Sequence, residues 1–227
     1  MIRKEETKMK TEISEKILEK IREGRQYRPV RESFRVAGEG ENGAMIVEGH
    51  ACTFNEQYSL FDGRYYKVLE QVDPAAFDEC DMSDVIMQYN HEGRVFARQS
   101  NQTLEVSTDQ KGLYIRANLG GTEIGRQLFE EIKGGYTNKM SFGFTVAEDR
   151  VEYIEDLEND VVTAIRTITK VGKLYDVSAV SIPANDGTDI SARSFCDGVI
   201  AKLEAERLEK RAKIEKLKAE CEALLTL

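Results

Sequence analysis

The feature that most constrains this chain is a series of short strand-like runs, spread over residues 34–194, several of which alternate apolar and polar residues. A period of two marks a strand with one face buried and one face turned outward. Ala44-Met45-Ile46-Val47-Glu48-Gly49-His50-Ala51 reads as such a strand, and so do residues 85–89, 103–108, 113–118, 141–146, 161–170 and 175–182. Asp109-Gln110-Lys111-Gly112 between two of them is a hairpin-type turn. Helical pieces are interspersed. Residues 122–133 place Ile124, Leu128 and Ile132 four apart, with Thr122 as the start and Gly134-Gly135 as the stop. Asp73-Pro74-Ala75-Ala76-Phe77 looks like a second helix start, an acidic residue before proline. Residues 148–160 are acidic and irregular and read as an exposed excursion between two strands. The predicted fold class is α+β: a mainly antiparallel, barrel-like β core, closed or nearly closed, with helices packed outside.

Both ends change character. Residues 1–33 are polar and charged, with Ile13, Ile17, Leu18 and Ile21 at helical spacing and Gly24 as a stop; they predict a charged helical extension. Residues 199–227 contain no glycine or proline. Ile200, Leu203, Ile214, Leu217, Cys221 and Leu224 fit the first and fourth positions of a heptad, and Arg207 and Lys210 interrupt the seam. This is a long charged helix, either solvated or pairing as a weak coiled coil. The domain reading is an extension over 1–33, a core over 34–194 and a helical extension over 195–227.

Composition narrows the function. The 227 residues are 41% hydrophobic and 32% charged, with a net charge of −9, so bulk charge does not suggest a nucleic-acid partner. No apolar run approaches the roughly 18–20 residues that span a bilayer, and MIRKEETKMKTEISEKI lacks the apolar centre of a secretory signal, so a cytoplasmic protein without a membrane partner is expected. Cys52, Cys80, Cys196 and Cys221 are widely spaced and form no CxxC pair, which predicts reduced structural thiols, no metal site and no cofactor.

Two short segments carry chemistry. Tyr89-Asn90-His91-Glu92 places a histidine, one of only two, at the end of an apolar strand. Lys139-Met140-Ser141-Phe142-Gly143-Phe144 places Ser141 and Gly143 on the face opposite three bulky apolar residues, where small side chains leave room for a substrate backbone. An imidazole that takes a hydroxyl proton turns serine into a usable nucleophile. The preceding loop, residues 134–138, offers backbone N–H groups as oxyanion donors. A third group should orient the imidazole. Asp176 is the candidate, an acid in an apolar strand where a carboxylate is costly unless paired. His50 is the other option; Glu92 is too near His91 in sequence for an easy side-chain contact.

The order of these segments resembles that of the prohead maturation proteases of tailed bacteriophages, which are similar to the assemblin proteases of herpesviruses. The resemblance is carried by residues 47–51 with Phe54, Glu70-Gln71-Val72-Asp73-Pro74-Ala75-Ala76-Phe77, Asn90-His91-Glu92, the hairpin over 104–119, Met140-Ser141-Phe142-Gly143-Phe144 and residues 176–184. It implies His91 as general base, Ser141 as nucleophile and Asp176 in the third role. No histidine follows Ser141, so the second histidine of the herpesvirus relatives has no counterpart, and a tyrosine is the more usual residue at position 50. The resemblance further implies a serine endopeptidase of the host cytoplasm and the immature capsid. Major capsid protein or scaffold segments, and the enzyme itself, would be its substrates, and a homodimer or higher homo-oligomer its assembly. The competing reading is a non-enzymatic capsid-assembly scaffold built on the same fold, which would need neither His91 nor Ser141.

Overall fold

The computed structural model describes residues 24–33, 35–40, 43–181 and 190–225; the helix expected within residues 12–23 lies outside them. The described residues form eleven strands and two helices. One sheet contains β1 (Gln26–Ser33), β4 (Tyr58–Asp62), β5 (Tyr66–Val72), β6 (Ile86–Tyr89), β7 (Glu92–Arg98), β10 (Lys139–Asp156) and β11 (Val161–Val180). The second has the order β2 (Arg35–Glu39), β3 (Met45–Thr53), β9 (Gly112–Asn118) and β8 (Leu104–Thr108).

The long hairpin of β10 and β11 organises the first sheet. At 20 residues, β11 exceeds the usual strand length and serves two neighbours on one edge. Its first half pairs in parallel with β5 and its second half in parallel with β6; the other pairings of both sheets are antiparallel. The mainly antiparallel α+β expectation therefore stands. The closed barrel does not: among the described residues no pairing joins the two sheets. The chain passes from β1 in one sheet to β2 in the other, which places the strands in two sheets where the closed alternative would have run them round one.

Several local readings are also corrected. Residues 148–156 are not irregular but continue β10, and 161–170 and 175–180 are a single strand. Irregularities in the register between Gly143 and Asp149 break the period of two and hide that continuity from a pattern search. Residues 74–79 are a run of turns, not a helix, closed by bonds from Ala76 N to Asp73 O and from Cys80 N to Phe77 O. Residues 26–33, within the stretch that reads as a charged extension, form β1 against β10.

Helix α1 (Glu123–Lys133) follows its sequence signals. Thr122 Oγ1 accepts from Gly125 N at 3.0 Å, Gly134 caps the far end, and Leu128, Phe129 and Ile132 are buried. These join Val47, Ala51, Leu113 and Ile115 of the second sheet and Met140, Phe142, Phe144, Ile168 and Val177 of the first in one apolar core. Each fully buried large side chain contributes about 1.5–3 kcal/mol.

Residues 22–193 are one compact unit. Helix α2 (Ile190–Leu225) lies almost wholly outside it and starts before Gly198, which it contains; one interior glycine costs a helix only about 1 kcal/mol. Phe195, Cys196, Val199 and Leu203 are buried, whereas Ile214, Leu217, Cys221 and Leu224 of the expected seam are exposed.

Candidate active site

Strand alternation builds the site on the face of the first sheet that turns away from the apolar core. Met140, Phe142 and Phe144 enter the core, so Ser141 and Gly143 point the other way. Val177 and Ala179 do the same on β11, leaving Asp176 and Ser178 beside them. Ser141 is in register with Ser178, and Gly143 with Asp176.

On the far side of β11, β6 runs in parallel from Ile86 opposite Asp176 to Tyr89 opposite Ala179. It then reverses into β7 through Asn90-His91, with Tyr89 paired to Glu92. Both turn residues have positive φ, 51° and 60°, as a type I′ hairpin turn requires, and asparagine tolerates that region better than most residues. The turn is tied to the end of β11. Asn90 N donates to Ala179 O at 2.9 Å and Ser181 N donates to Asn90 Oδ1 at 3.2 Å.

This turn brings His91 between the other two groups. His91 Nε2 lies 2.7 Å from Ser141 Oγ, and Nδ1 lies 2.6 Å from Asp176 Oδ1. Asp176 is fully buried, Ser141 is 3% exposed and the His91 side chain 14%. Oδ1 of Asp176 also accepts from Ser178 Oγ at 2.7 Å, and Oδ2 pairs with the Arg25 guanidinium. Burial acts to raise the Asp176 carboxyl. The hydrogen bond and charge of His91, with smaller help from Ser178 and Arg25, outweigh it and hold the group below the usual carboxylate range. An ionised carboxylate only accepts, so Nδ1 carries the proton and the lone pair of Nε2 faces the serine hydroxyl.

His50 stands elsewhere. It is on β3, with Nε2 2.8 Å from Asp109 Oδ2 and its ring against Tyr114; the group behind His91 is Asp176. Two expectations about the surroundings change. A Cβ on Gly143 would meet Asp176 Oδ2 at 2.2 Å and Arg25 Nε and Tyr27 Cε1 at 3.0 Å. The space over Gly143 thus holds the site's own groups and is not open to a substrate backbone. In the 134–138 loop, the N–H groups of Gly134, Gly135, Tyr136 and Thr137 donate to carbonyls of Glu130, Ile132 and Glu131. They close helix α1 and are not free as oxyanion donors. Sequence reasoning missed Ser178, Arg25 and Tyr27. Alternation from Asp176 points to Ser178; no local pattern points to the other two.

Among the described residues no cluster of three or more histidine, cysteine, aspartate or glutamate side chains is arranged to hold a metal ion, and no described helix is long and apolar enough to cross a membrane.

A serine, an imidazole and a buried carboxylate joined in this order are the constellation of serine hydrolases. The chain belongs to the Caudovirus prohead serine protease family, whose pattern its residues 32–198 match. Among solved structures, it is similar to the bacteriophage T4 capsid assembly protease gp21, at 13% identity and a TM-score of 0.38, over 69% of this chain and 99% of that chain. No curated relative matches it.

Proposed function

We propose that this chain is a serine endopeptidase that cuts capsid-protein or scaffold segments during prohead maturation, with Ser141 as nucleophile, His91 as general base and Asp176 as the residue that orients the imidazole. The observation that carries the reading is the position of His91, within hydrogen-bond reach of both Ser141 and Asp176. As Ser141 Oγ attacks a peptide carbonyl carbon, its proton passes to Nε2, and Asp176 stabilises the imidazolium through Nδ1–H. The same proton then moves to the leaving amine nitrogen as the C–N bond breaks. Water repeats the cycle on the acyl-enzyme, so one peptide bond and one water become an acid and an amine. The proposal includes an assemblin-like chemistry in which an aspartate takes the place of the herpesvirus second histidine.

The setting is part of the proposal: synthesis in the host cytoplasm, action inside the immature capsid and activation by self-association. A weakly associating enzyme is mostly monomeric when dilute and mostly assembled when confined. Purified full-length chain should shorten itself or a co-expressed capsid protein, and Ser141→Ala should stop both. Specific activity should rise with enzyme concentration; a constant value from about nanomolar to tens of micromolar would remove the self-association step. A Ser141→Ala chain that still cuts would refute the catalytic assignment and return the non-enzymatic scaffold reading.

A further inference from the structure

Arg25 immediately precedes β1 and lies outside the stretch that matches the protease family, residues 32–198. It nevertheless reaches the centre of the site. Its guanidinium pairs with Oδ2 of Asp176, the carboxylate oxygen that His91 and Ser178 leave open. It also stacks over the rings of Tyr175 at 4.8 Å and Tyr27 at 5.2 Å, contacts that add to the hold of a charged pair. Tyr27 in turn sits 4.2 Å from the His91 ring. The backbone that delivers these two side chains is clamped from the other side. Gln26 and Arg28, which alternate with them, are buried in a cluster with Glu70 and Arg166. Gly143 leaves the space in which Asp176, Arg25 and Tyr27 meet.

We propose that Arg25 is a positioning residue of the site: it fixes the Asp176 carboxylate against His91 and shares its charge, and so sets the pH at which Ser141 becomes reactive. The inference rests on the serine-nucleophile reading above. Among the described residues, His91 meets Ser141 from β10, Asp176 from β11 and the Tyr27 ring from β1; Arg25 stands behind Asp176, and Glu92 follows His91 in its own hairpin. Lys173 lies further out, over the Tyr175 ring and paired with Asp81. Among the described residues that touch Asp176, only Arg25 carries a permanent positive charge. With it present, protonating His91 gathers two cations around one carboxylate; without it, a single cation has that carboxylate to itself. A like charge nearby disfavours the protonated imidazole, and the effect is moderated because the Arg25 side chain is 33% exposed.

The test is covalent labelling of Ser141 in the full-length chain by a fluorophosphonate, followed by intact mass across a range of pH. It needs no knowledge of the natural substrate. Wild type should be labelled and Ser141→Ala should not. Arg25→Gln should label about tenfold more slowly, with the acidic half-point of its rate profile about half to one pH unit higher. Arg25→Lys keeps the charge and loses the planar fork, so it should be slowed but keep the wild-type half-point. In an Asp176→Asn background, Arg25→Gln should have little further effect. A wild-type profile in Arg25→Gln, or the same displacement in Arg25→Lys as in Arg25→Gln, would overturn the proposal; so would an undiminished Arg25→Gln effect in the Asp176→Asn background. Should Arg25→Gln not fold, Arg25→Met removes the same charge and its half-point decides in its place. Labelling absent from wild type, or retained in Ser141→Ala, would instead bring down the serine-nucleophile reading and this inference with it.

Discussion

Two clusters of charge lie on either side of the chain at β1, and they meet opposite demands. On one side, Arg28 and Arg166 face Glu70 and Asp149, with all four side chains at most 2% exposed. Among these four, two positive and two negative charges offset one another. Glu70 Oε1 accepts from Arg28 and from Tyr58 Oη at 2.6 Å, and Oε2 accepts from Arg166 Nη1 at 2.7 Å. On the other side, Arg25 and Asp176 flank His91, which touches a hydroxyl. Burial and ion pairing are common to both. What separates them is an imidazole with one nitrogen turned toward a serine hydroxyl. Among the described residues the first cluster has no imidazole and ties strands together; the second has one, as the proposed proton transfer requires. Buried charge alone is therefore a poor mark of function in this molecule.

The sharpest way to break that contrast is to remove groups from the second cluster. Ser141→Ala or His91→Ala should lower the rate on a cleavable capsid peptide by about 10⁴-fold or more, and Asp176→Asn by about 10³- to 10⁴-fold. Thermal unfolding of Ser141→Ala should stay within a few degrees of wild type, because a small polar side chain on the sheet face is all that is lost. A large drop in stability with a modest drop in rate would mean that this cluster, too, is mainly structural.

The next largest effect belongs to the first cluster and has the opposite signature. Glu70→Gln takes from the buried Arg28 and Arg166 the carboxylate that both of them bind. Breaking a buried pair in this way costs about 3–5 kcal/mol, to be read by urea denaturation. The rate per folded molecule should remain within a few fold of wild type. Replacing Arg28, Glu70 and Arg166 together by apolar residues of similar size should recover much of the loss, since the desolvation penalty goes with the charges.

How much of this was legible in the sequence differs between the two clusters. Ser141, His91 and Asp176 each lie in an apolar strand or at its end, where a polar residue stands out against its neighbours, and the strand period predicts which residues share a face. Thr122 and Gly134 marked helix α1 for the same local reason. Arg25, Gln26, Tyr27 and Arg28 sit in a polar stretch that reads as surface. Their burial depends on Glu70, Arg166 and Asp176, which are distant in sequence, and no local period encodes such partners. The continuation of β10 through residues 148–156 was hidden likewise. Its acidic side chains, Asp149 apart, are exposed, so apolar alternation is absent where the hydrogen bonds persist.

Acid separates the clusters next. Desolvation acts to raise the Glu70 carboxyl, but Arg28 and Arg166, with hydrogen bonds from Arg28 and Tyr58, bring it down to about 2. A carboxyl with a folded value below its unfolded one stabilises the protein above the unfolded value, and that stabilisation is lost as pH falls through the folded one. The Glu70 contribution is thus present above the ordinary carboxylate range, near pH 4.5, and disappears toward about pH 2. It amounts to about 3 kcal/mol. Stability of wild type and Glu70→Gln, followed by denaturant midpoint over that range, should converge by about this amount as the pH drops. Parallel curves would remove Glu70 as the source.

The smallest expected effect probes the contact where the chain at β1 meets the second cluster. Gly143 is in register with Asp176, and a methyl group there would lie 2.2 Å from Oδ2 and 3.0 Å from both Arg25 Nε and Tyr27 Cε1. Two of these neighbours are the ends of side chains that can swing, so Gly143→Ala should displace the carboxylate and the guanidinium and leave the sheet intact. The backbone favours the change: Gly143 is not among the residues of positive φ, and alanine is the less flexible residue in the unfolded chain. The contact with a buried carboxylate outweighs this, so stability should fall by about 1–3 kcal/mol, while displacement of that carboxylate by a fraction of an ångström should slow the reaction by about 10- to 100-fold. The loss should fall on kcat, since the methyl group moves groups behind His91. A loss confined to KM would mean that substrate occupies the space over Gly143 after all, and that Arg25 and Tyr27 give way when it binds.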